Sequence, residues 1–214
     1  IERYPGFRKR MQWFIDHRKD LTESLASMTE RGENSRRLLS VVNRSRLERI
    51  LQRLFDESEF LSPYGIRSLS RYHKDRPYRV NVDGSSFEVN YEPAESEAGT
   101  FGGNSNWRGP VWFPLNYNLI EALQRLGHYY GDSLQVEFPT GSGQRITLSE
   151  AACKVSQRLS SLFLSGAALG ESQLREYPLF YEYFNGDTGK GLGASHQTGW
   201  TGLVAKLLQQ SGVA

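Results

Sequence analysis

The stretch "PLNYNLIEALQRLGHYYGD", residues 114–132, decides the fold class of this chain. Its apolar residues recur with the period of an α-helix that has one buried face. A helix of this length has to cover that face with other elements of the same domain, so the stretch predicts a mainly helical domain. The residues that we expect on the buried face are Leu115, Leu119, Ile120, Leu123 and Leu126.

Two helices are predicted upstream of this stretch. The first begins at Pro5, because proline is well suited to the first turn of a helix. The second lies in "NRSRLERILQRLFDESEFL", residues 43–61, with Asn43 or Ser45 as its N-cap. The apolar residues Phe7, Met11 and Phe14 fall on one face of the first helix, and Leu47, Ile50, Leu51, Leu54 and Phe55 trace one stripe on the second.

Two further helices are predicted downstream. Thr147 and Glu150 form the pattern of a capping box before the segment 149–164. Within that segment Cys153 is the only cysteine of the chain, which excludes an internal disulfide, and its apolar neighbours predict a buried thiol. The last helix should follow Gly199, with a buried face formed by Leu203, Val204, Leu207 and Leu208.

Two segments change from the helical period to the alternation that is typical of strands. In residues 78–91, "YRVNVDGSSFEVNY", Asp83-Gly84 separates two alternating runs and predicts a hairpin. Residues 134–148, "LQVEFPTGSGQRITL", predict a second hairpin. Helices joined by long loops and a few hairpins suit a helical barrel or toroid whose loops build a site at one end.

Composition narrows the function classes. The 214 residues include 26 basic and 24 acidic side chains, and the net charge of +2 gives no sign of nucleic acid or a membrane surface as a partner. The sequence shows neither an apolar run of about 20 residues nor a signal-peptide pattern, which favours a cytoplasmic location. The four histidines lack metal-ligand spacing, so we expect no metal and no cofactor.

The first stretch that could carry chemistry is "GGNSNWRGPVWFPLNY", residues 102–117. Trp107 and Trp112 flank an Arg-Gly-Pro turn in a glycine-rich polar loop. A tryptophan there presents an apolar face and one N–H donor, which suits a ligand with apolar patches and many hydroxyl groups, such as a sugar. The alternative is that the indoles fold back onto the helix as a lid.

The second stretch is "FYEYFNGDTGKGLGASHQTGWTGLVA", residues 180–205, in which Glu182 lies among aromatic residues before a glycine-rich loop. The carboxylate could activate a water molecule, or it could be a structural partner of an arginine. The loop fails the phosphate-loop pattern, because Phe184 and Gly191 occupy the positions that require glycine and serine or threonine. A weaker third stretch, "LSPYGIRSLS" at residues 61–70, places Tyr64 and Arg67 in a turn.

Together these three stretches resemble the C-terminal part of glycoside hydrolase family 63, the family of processing α-glucosidase I and its microbial relatives. The resemblance rests on W-R-G-x-x-W-x-x-x-N-Y, from Trp107 to Tyr117, and on the stretch from Glu182 through the glycine loop to Thr201. It covers most of the chain and is strongest for the bacterial-type members. The pair of motifs is more specific than either motif alone.

The resemblance implies that residues 1–214 are the C-terminal portion of an (α/α)6-barrel catalytic domain that hydrolyses α-glycosidic bonds with inversion. Because the chain begins at Ile1 rather than at methionine, we expect it to be part of a longer protein. The resemblance gives Glu182 the role of general base. The residues predicted to bind the sugar are Tyr64, Trp107, Arg108, Trp112, Asn116, Tyr117, His196 and Trp200.

One departure from the family concerns the general acid, an aspartate on a more N-terminal part of the barrel, which no stretch of this chain matches. The expected partners are therefore an oligosaccharide substrate and the N-terminal remainder of the parent chain. If the isolated chain proved active, Glu92 and Glu95 in the loop before the tryptophans would be the first second carboxylates to test.

Three other hypotheses remain open at the level of sequence. A carbohydrate-binding module would use the tryptophans without chemistry. A helical scaffold with a protein partner would bury Trp107 and Trp112 in its core. A phosphorolytic enzyme on a similar barrel would need no base to activate water, so Glu182 argues mildly against it.

Overall fold

The computed structural model of the protein describes residues 3–22, 30–97, 106–164 and 179–212. These residues are mainly helical, as predicted, with small antiparallel hairpins between the helices. The helices are α1 Pro5–His17, α2 Lys19–Thr22, α3 Arg44–Leu54, α4 Phe113–Tyr130, α5 Leu148–Leu164, α6 Thr198–Thr201 and α7 Val204–Ser211. The strands are β1 Leu61–Ser62, β2 Gly65–Ile66, β3 Tyr78–Val82, β4 Ser85–Val89, β5 Gln135–Glu137, β6 Arg145–Thr147, β7 Tyr183–Phe184 and β8 Gly191–Leu192.

The chain divides into two compact units, Ile1–Ile50 and Leu51–Ala214. In the first unit α1 begins at Pro5 as predicted, and no residue of α1 is buried, so the apolar face of Phe7, Met11 and Phe14 is not buried by the described residues. Apolar spacing predicts which face of a helix can be buried, but it does not show that another element covers this face. The Oδ1 atom of Asn43 caps α3 by accepting the N–H of Arg46 at 3.0 Å, which settles the choice of N-cap.

The buried stripe of α3 is narrower than predicted. Leu47 and Leu51 are buried one turn apart, whereas Ile50 is 51% exposed. Leu47, Leu51 and Phe55 form a buried row with a spacing of four residues. Ile50 lies at the edge of this row. Part of the predicted apolar stripe therefore remains exposed.

The second unit is built around the packing of α4 against α5. Ile120 and Leu123 of α4 are buried, as are Leu148, Val155 and Leu159 of α5. The two helices approach closely at Gly127, where an added Cβ atom would overlap the Oγ atom of Ser149. A glycine in the middle of a helix lowers its stability, and here it permits this close contact.

Two predictions for these helices were wrong. Leu115 is 43% exposed, and it lies with Ile66 and Leu119 along an apolar groove of about 370 Å³. The next residue, Asn116, faces inward instead. Its burial is tolerated because its side-chain amide forms hydrogen bonds with main-chain groups. Cys153 is exposed rather than buried, since Ala152 and Val155 take the inner face of α5.

Predictions from local sequence signals were more accurate than predictions of which residues face inward. The capping box before α5 is present, because the Thr147 N–H donates to Glu150 Oε2 at 2.8 Å and the Glu150 N–H donates to Thr147 Oγ1 at 3.2 Å. Both predicted hairpins form, as β3–β4 and β5–β6. Asp83 and Gly84 take left-handed conformations, with φ of 49° and 79°, as the tight turn between β3 and β4 requires.

The C-terminal helix is divided in two. We predicted one helix after Gly199, whereas α6 begins at Thr198 and α7 begins at Val204. Gly202 lies in the break, in keeping with the low helix propensity of glycine. Val204 and Leu207 are buried as predicted, and α7 packs against α5. Within the described segments, no helix combines the length and the apolar character that crossing a bilayer requires.

Candidate active site

The three stretches that the sequence analysis singled out are joined at Val111. Val111 forms antiparallel bridges with Arg67 of the third stretch and with Phe184 of the second. Its N–H donates to the Phe184 carbonyl at 2.8 Å, and its carbonyl accepts the Phe184 N–H at 3.0 Å. Residues that are more than one hundred positions apart in the sequence therefore share one piece of main-chain structure.

An aromatic cluster lies next to this junction, and Trp112 is its common member. Its ring centroid lies 3.9 Å from that of Trp107, with the two planes 3° apart, and 4.6 Å from that of Tyr183. The ring of Trp200 is tilted against it at 5.4 Å. We call these four residues the aromatic ladder. It brings together all three predicted sugar-binding tryptophans.

The members of the ladder differ in exposure. Trp112 and Tyr183 are completely buried, whereas Trp107 is 46% exposed and Trp200 is half-buried. Trp107 can therefore offer a ring face to a ligand while Trp112 supports it from the protein side. We accordingly assign Trp112 a supporting role in the candidate site.

Asn106, which the sequence analysis did not single out, connects the ladder to the loop before it. Asn106 is buried, and its carbonyl accepts the indole N–H of Trp112 at 2.9 Å. Its side-chain amide donates to the carbonyls of Glu92 and Ala94, both at 2.7 Å. The signal in the sequence is weak, since it amounts to one more polar residue in a polar loop, directly before Trp107.

Arg108 is buried and turned toward the chain itself. Its guanidinium makes an ion pair of 2.7 Å with Glu92 and a short hydrogen bond to the hydroxyl of Ser96. Burial of both partners makes removal of either one costly, because it leaves an uncompensated charge. In the structure Arg108 therefore holds the segment 92–96 beside the ladder.

Asn116 is also a supporting residue in this structure. Its Oδ1 accepts the N–H of Ile66 at 2.7 Å, and its Nδ2 donates to the carbonyls of Ile66 and Trp112 at 3.0 and 2.9 Å. Buried amides are stable when they are paired in this way. Asn116 thus ties α4 to the hairpin β1–β2.

Glu182 is half-buried and directly precedes β7. The N–H of Ala194 donates to its Oε2 at 3.2 Å, and its own N–H donates to the Ala194 carbonyl at 2.9 Å. Gly193, in a left-handed conformation with φ of 69°, has no room for a Cβ atom, which would lie 2.7 Å from Glu182 Oε2. The main chain that follows β8 therefore packs against the carboxylate and holds its orientation.

The pKa of the Tyr183 hydroxyl depends on its burial and on nearby charges. Burial and, to a lesser extent, the negative charges of Glu95 and Glu182 together raise the pKa of its hydroxyl to about 12. A like effect from two carboxylates requires that both lie close to this hydroxyl. Glu95, from the loop before the first stretch, and Glu182, from the second stretch, thus both act on the hydroxyl of Tyr183.

The glycine-rich loop after β7 is bound down by a buried network. Arg67 donates to the Tyr91 hydroxyl at 3.0 Å and to Asp187 Oδ1 at 3.1 Å, and the Tyr91 hydroxyl donates to the same Oδ1 at 2.9 Å. Burial raises the pKa of Tyr91, with the charge of Asp187 acting in the same direction and Arg67 opposing it. The acidic residue of the loop is thereby held by the protein itself.

Three other residues that were predicted to bind the sugar lie in different surroundings: Tyr64, His196 and Tyr117. The ring of Tyr64 packs under Gly189, where a Cβ atom would approach it to 2.8 Å. His196 is exposed and pairs with Phe180 in a parallel bridge. Partial burial and neighbouring Glu121 raise the pKa of Tyr117 on α4.

Residues that could bind a metal were also considered. In the segments whose structure is described, no three histidine, cysteine, aspartate or glutamate side chains come together as a metal site.

Comparison with known proteins identifies the family. Residues 7–201 match the family model described as the Mannosylglycerate hydrolase MGH1-like glycoside hydrolase domain. The chain belongs to this family. It thus has the domain of a glycoside hydrolase, which agrees at family level with the resemblance drawn from the motifs.

Three relatives come from yeasts. The chain is 47% identical over 229 residues to "Uncharacterized protein YMR196W" of Saccharomyces cerevisiae, a match that covers 100% of this chain and 21% of the relative. It is 28% identical to a "Probable mannosyl-oligosaccharide glucosidase" of Schizosaccharomyces pombe, over 78% of this chain and 16% of the relative. It is 25% identical to the "Mannosyl-oligosaccharide glucosidase" of Saccharomyces cerevisiae, over 78% of this chain and 15% of the relative.

The chain thus spans about a fifth of the first of these relatives and less of the other two. The family and the two glucosidases support glycoside hydrolysis as the general activity of the domain. The special likeness to bacterial-type members stays a prediction.

Proposed function

We propose that this chain is the C-terminal portion of an (α/α)6-barrel glycosidase that hydrolyses α-linked glucosyl or mannosyl oligosaccharides with inversion. In this proposal Glu182 is the general base, and Trp107 and Trp200 receive the sugar. The observation that carries the proposal is the position of Glu182 beside the aromatic ladder, in a domain of the glycoside hydrolase class.

The reaction needs two carboxyl groups on opposite sides of the scissile bond. In an inverting glycosidase the base takes a proton from a water molecule, which attacks the anomeric carbon, while the acid protonates the departing oxygen. The separation of the two groups is about 6.5–9.5 Å, which leaves room for the water molecule. Glu182 has an orientation held by the Ala194 N–H, as a base that has to meet a water molecule in a defined place requires.

The acid is assigned to a more N-terminal part of a longer parent chain. The relatives are several times longer than this chain, so a parent of similar length would have room for it. Without an acid the leaving-group oxygen departs as an alkoxide, so the 214-residue chain alone should hydrolyse unactivated glycosides very slowly.

The substrate class is argued from the printed names and from the ladder. Two relatives are named as mannosyl-oligosaccharide glucosidases, and the family is named after a mannosylglycerate hydrolase. Pyranose rings present apolar C–H faces that stack on tryptophan and hydroxyl groups that bind carboxylates. A glucose or mannose unit stacked on Trp107 satisfies both requirements.

The test is Glu182→Gln in the full-length parent protein. Glutamine keeps the size of the side chain and cannot accept a proton from water, so kcat should fall by about 10²-fold or more. Affinity for the oligosaccharide should change little, because the base acts only as the water attacks. Steady-state hydrolysis and a binding titration measure the two effects on the same protein.

Glu88→Gln is the matched control, because Glu88 is an exposed glutamate on β4. It should leave both kcat and affinity unchanged. If kcat of Glu182→Gln stays within a few-fold of the parent value, Glu182 is structural and the base lies elsewhere.

A second function is favoured by the exposed ring of Trp107. A carbohydrate-binding module would use the exposed face of Trp107 and would need no acid. Loss of affinity together with rate in Glu182→Gln would support that function. The scaffold hypothesis is less well supported, because it requires both Trp107 and Trp112 in the core and Trp107 is exposed.

A further inference from the structure

We propose that Glu95 is a second carboxylate of the sugar site, where it accepts hydrogen bonds from the hydroxyl groups of a neutral sugar stacked on Trp107. The inference rests on the proposed function, since it names a further residue and the charge class of the substrate at the same site. It is drawn from how the chain holds the segment around Glu95 and from what this segment faces.

The first step is that the main chain before Glu95 is fixed. The Glu92 N–H donates to the Arg108 carbonyl at 2.7 Å, and the Gly186 N–H donates to the Pro93 carbonyl at 3.0 Å. The buried amide of Asn106 adds two bonds of 2.7 Å to the carbonyls of Glu92 and Ala94. A side chain that follows a segment held by four hydrogen bonds emerges at a defined place.

The second step is the place itself. The bond between Asn106 and Ala94 joins the residue before Trp107 to the residue before Glu95. Glu95 and Trp107 therefore each follow a residue of this hydrogen-bonded pair, so their main-chain positions are close. The charge of Glu95 also acts on the hydroxyl of Tyr183, a member of the ladder, and so does the charge of Glu182. Glu95 and Glu182 are far apart in the sequence, and both act on this member of the ladder.

The third step is the contrast between Glu95 and its neighbour Glu92. Glu92 is neutralised by the buried guanidinium of Arg108 at 2.7 Å and holds the loop. Glu95 is exposed, and its charge, like that of Glu182, acts on the hydroxyl of Tyr183. Two carboxylates near one hydroxyl create a negative potential there, which favours a ligand that donates hydrogen bonds over one that carries negative charge.

A sugar supplies the donors that such a pair requires. Its ring hydroxyls donate to carboxylate oxygens in charge-assisted hydrogen bonds, which are stronger than bonds between neutral groups. A sugar that carries a phosphate or a carboxylate on the ring would meet two like charges instead. The site should therefore select neutral sugar units over anionic ones.

The experiment compares Glu95→Gln with Glu97→Gln in the full-length parent protein. Glu97 is an exposed glutamate two residues further along the same loop, which makes it a matched control. The probes are glucose, methyl α-mannoside and glucose 6-phosphate, whose binding is measured by titration calorimetry. Far-UV circular dichroism checks that each variant keeps its fold.

We expect Glu95→Gln to weaken the binding of the better neutral probe by about tenfold, which is the effect of losing one good hydrogen bond to a charged group. Glu97→Gln should stay within twofold of the parent protein. The preference for glucose over glucose 6-phosphate should shrink severalfold in Glu95→Gln, because one repelling charge has been removed. A purely structural role of Glu95 would not change this preference.

Equal behaviour of the two variants, or an unchanged preference against the phosphorylated sugar, would overturn the inference. If Glu182→Gln keeps its activity while Glu95→Gln loses affinity, the assignment of the base fails and the inference stands. If Glu182→Gln loses its activity while Glu95→Gln resembles Glu97→Gln, only the inference fails. If the parent protein hydrolyses oligosaccharides and binds none of the probes, the inference fails and the proposed function stands.

Discussion

Two hairpins of the second unit have the same topology and opposite surroundings. β3–β4 has five residue pairs, from Tyr78↔Val89 to Val82↔Ser85, and it is exposed along almost its whole length. β7–β8 has two pairs, Tyr183↔Leu192 and Phe184↔Gly191, and both residues of β7 are completely buried. The longer hairpin carries the stronger sequence signal, and the shorter one carries the candidate site.

The difference separates local from tertiary causes. β3–β4 forms because Asp83-Gly84 makes the tight turn and because β-branched and aromatic residues face each other across the strands, as Val80 and Phe87 do. β7–β8 is held by Val111, by the ladder and by the network around Asp187. Two residue pairs alone would not hold a hairpin in water.

The largest expected effect comes from aromatic residues on the two hairpins. Tyr183→Ala removes a completely buried ring that contacts Trp112, and it should lower the free energy of unfolding by about 3–5 kcal/mol. Phe87→Ala removes a ring on β4 that is 48% exposed, and it should cost about 0.5–1 kcal/mol. Urea unfolding followed by circular dichroism measures both.

Similar values for the two variants would contradict the distinction between the hairpins. In that case either Phe87 is covered by a partner in solution or the ladder is less tightly packed than its ring distances indicate.

A smaller effect is expected from the glycines of the two loops. Gly84 and Gly189 have nearly the same left-handed conformation, with φ of 79° and 74°. Alanine at either position carries a conformational cost of about 1–2 kcal/mol. Only at Gly189 would the new Cβ atom also meet a ring, that of Tyr64 at 2.8 Å, while nothing lies within 4 Å at Gly84.

Gly189→Ala should therefore destabilise the protein by about 1–3 kcal/mol more than Gly84→Ala, which is the range for overpacking. The difference between the two free energies of unfolding removes the conformational cost that both variants share. Equal destabilisation would show that the ring of Tyr64 moves aside without cost.

The same contrast explains what the sequence could predict. The turn at Asp83-Gly84, the capping box of Thr147 and Glu150, and the existence of α4 were all predicted correctly, because each depends on residues within one or two turns of one another. The inner face of α4 was predicted only in part. Leu115 was expected inside, and Asn116 is there instead, because its partner Ile66 lies fifty positions away in the sequence.

The candidate site follows the same rule. The three stretches were found from their residue types, and the structure shows that they lie side by side at Val111. Which side chains face a ligand could not be predicted, because burial is decided by the assembled elements. Trp107 and Trp112 were equivalent in the sequence, yet the first is exposed and the second is buried. That any of these residues binds a sugar stays a prediction.

A third comparison concerns one ion pair near each hairpin. The larger effect is expected for the buried pair. Arg67 is buried and paired with Asp187 at 3.1 Å. Asp187→Ala should lower the free energy of unfolding by about 1–3 kcal/mol, since it leaves a buried guanidinium with fewer partners. This estimate is below the values for fully buried pairs because Asp187 is partly exposed. Urea unfolding at pH 7 is the measurement.

The smallest effect is expected at the exposed pair on β3–β4. Arg79 and Glu88 are directly opposite each other and form an ion pair of 2.7 Å, but both side chains are largely exposed. Water and salt screen such a pair, so Arg79→Ala should change the free energy of unfolding by no more than about 0.5 kcal/mol. The effect should shrink further in 1 M NaCl, whereas that of Asp187→Ala should persist, because buried charges are screened less. A loss above 1 kcal/mol for Arg79→Ala, unchanged by salt, would mean that β3–β4 is covered in solution and that the contrast between the hairpins belongs only to the isolated chain.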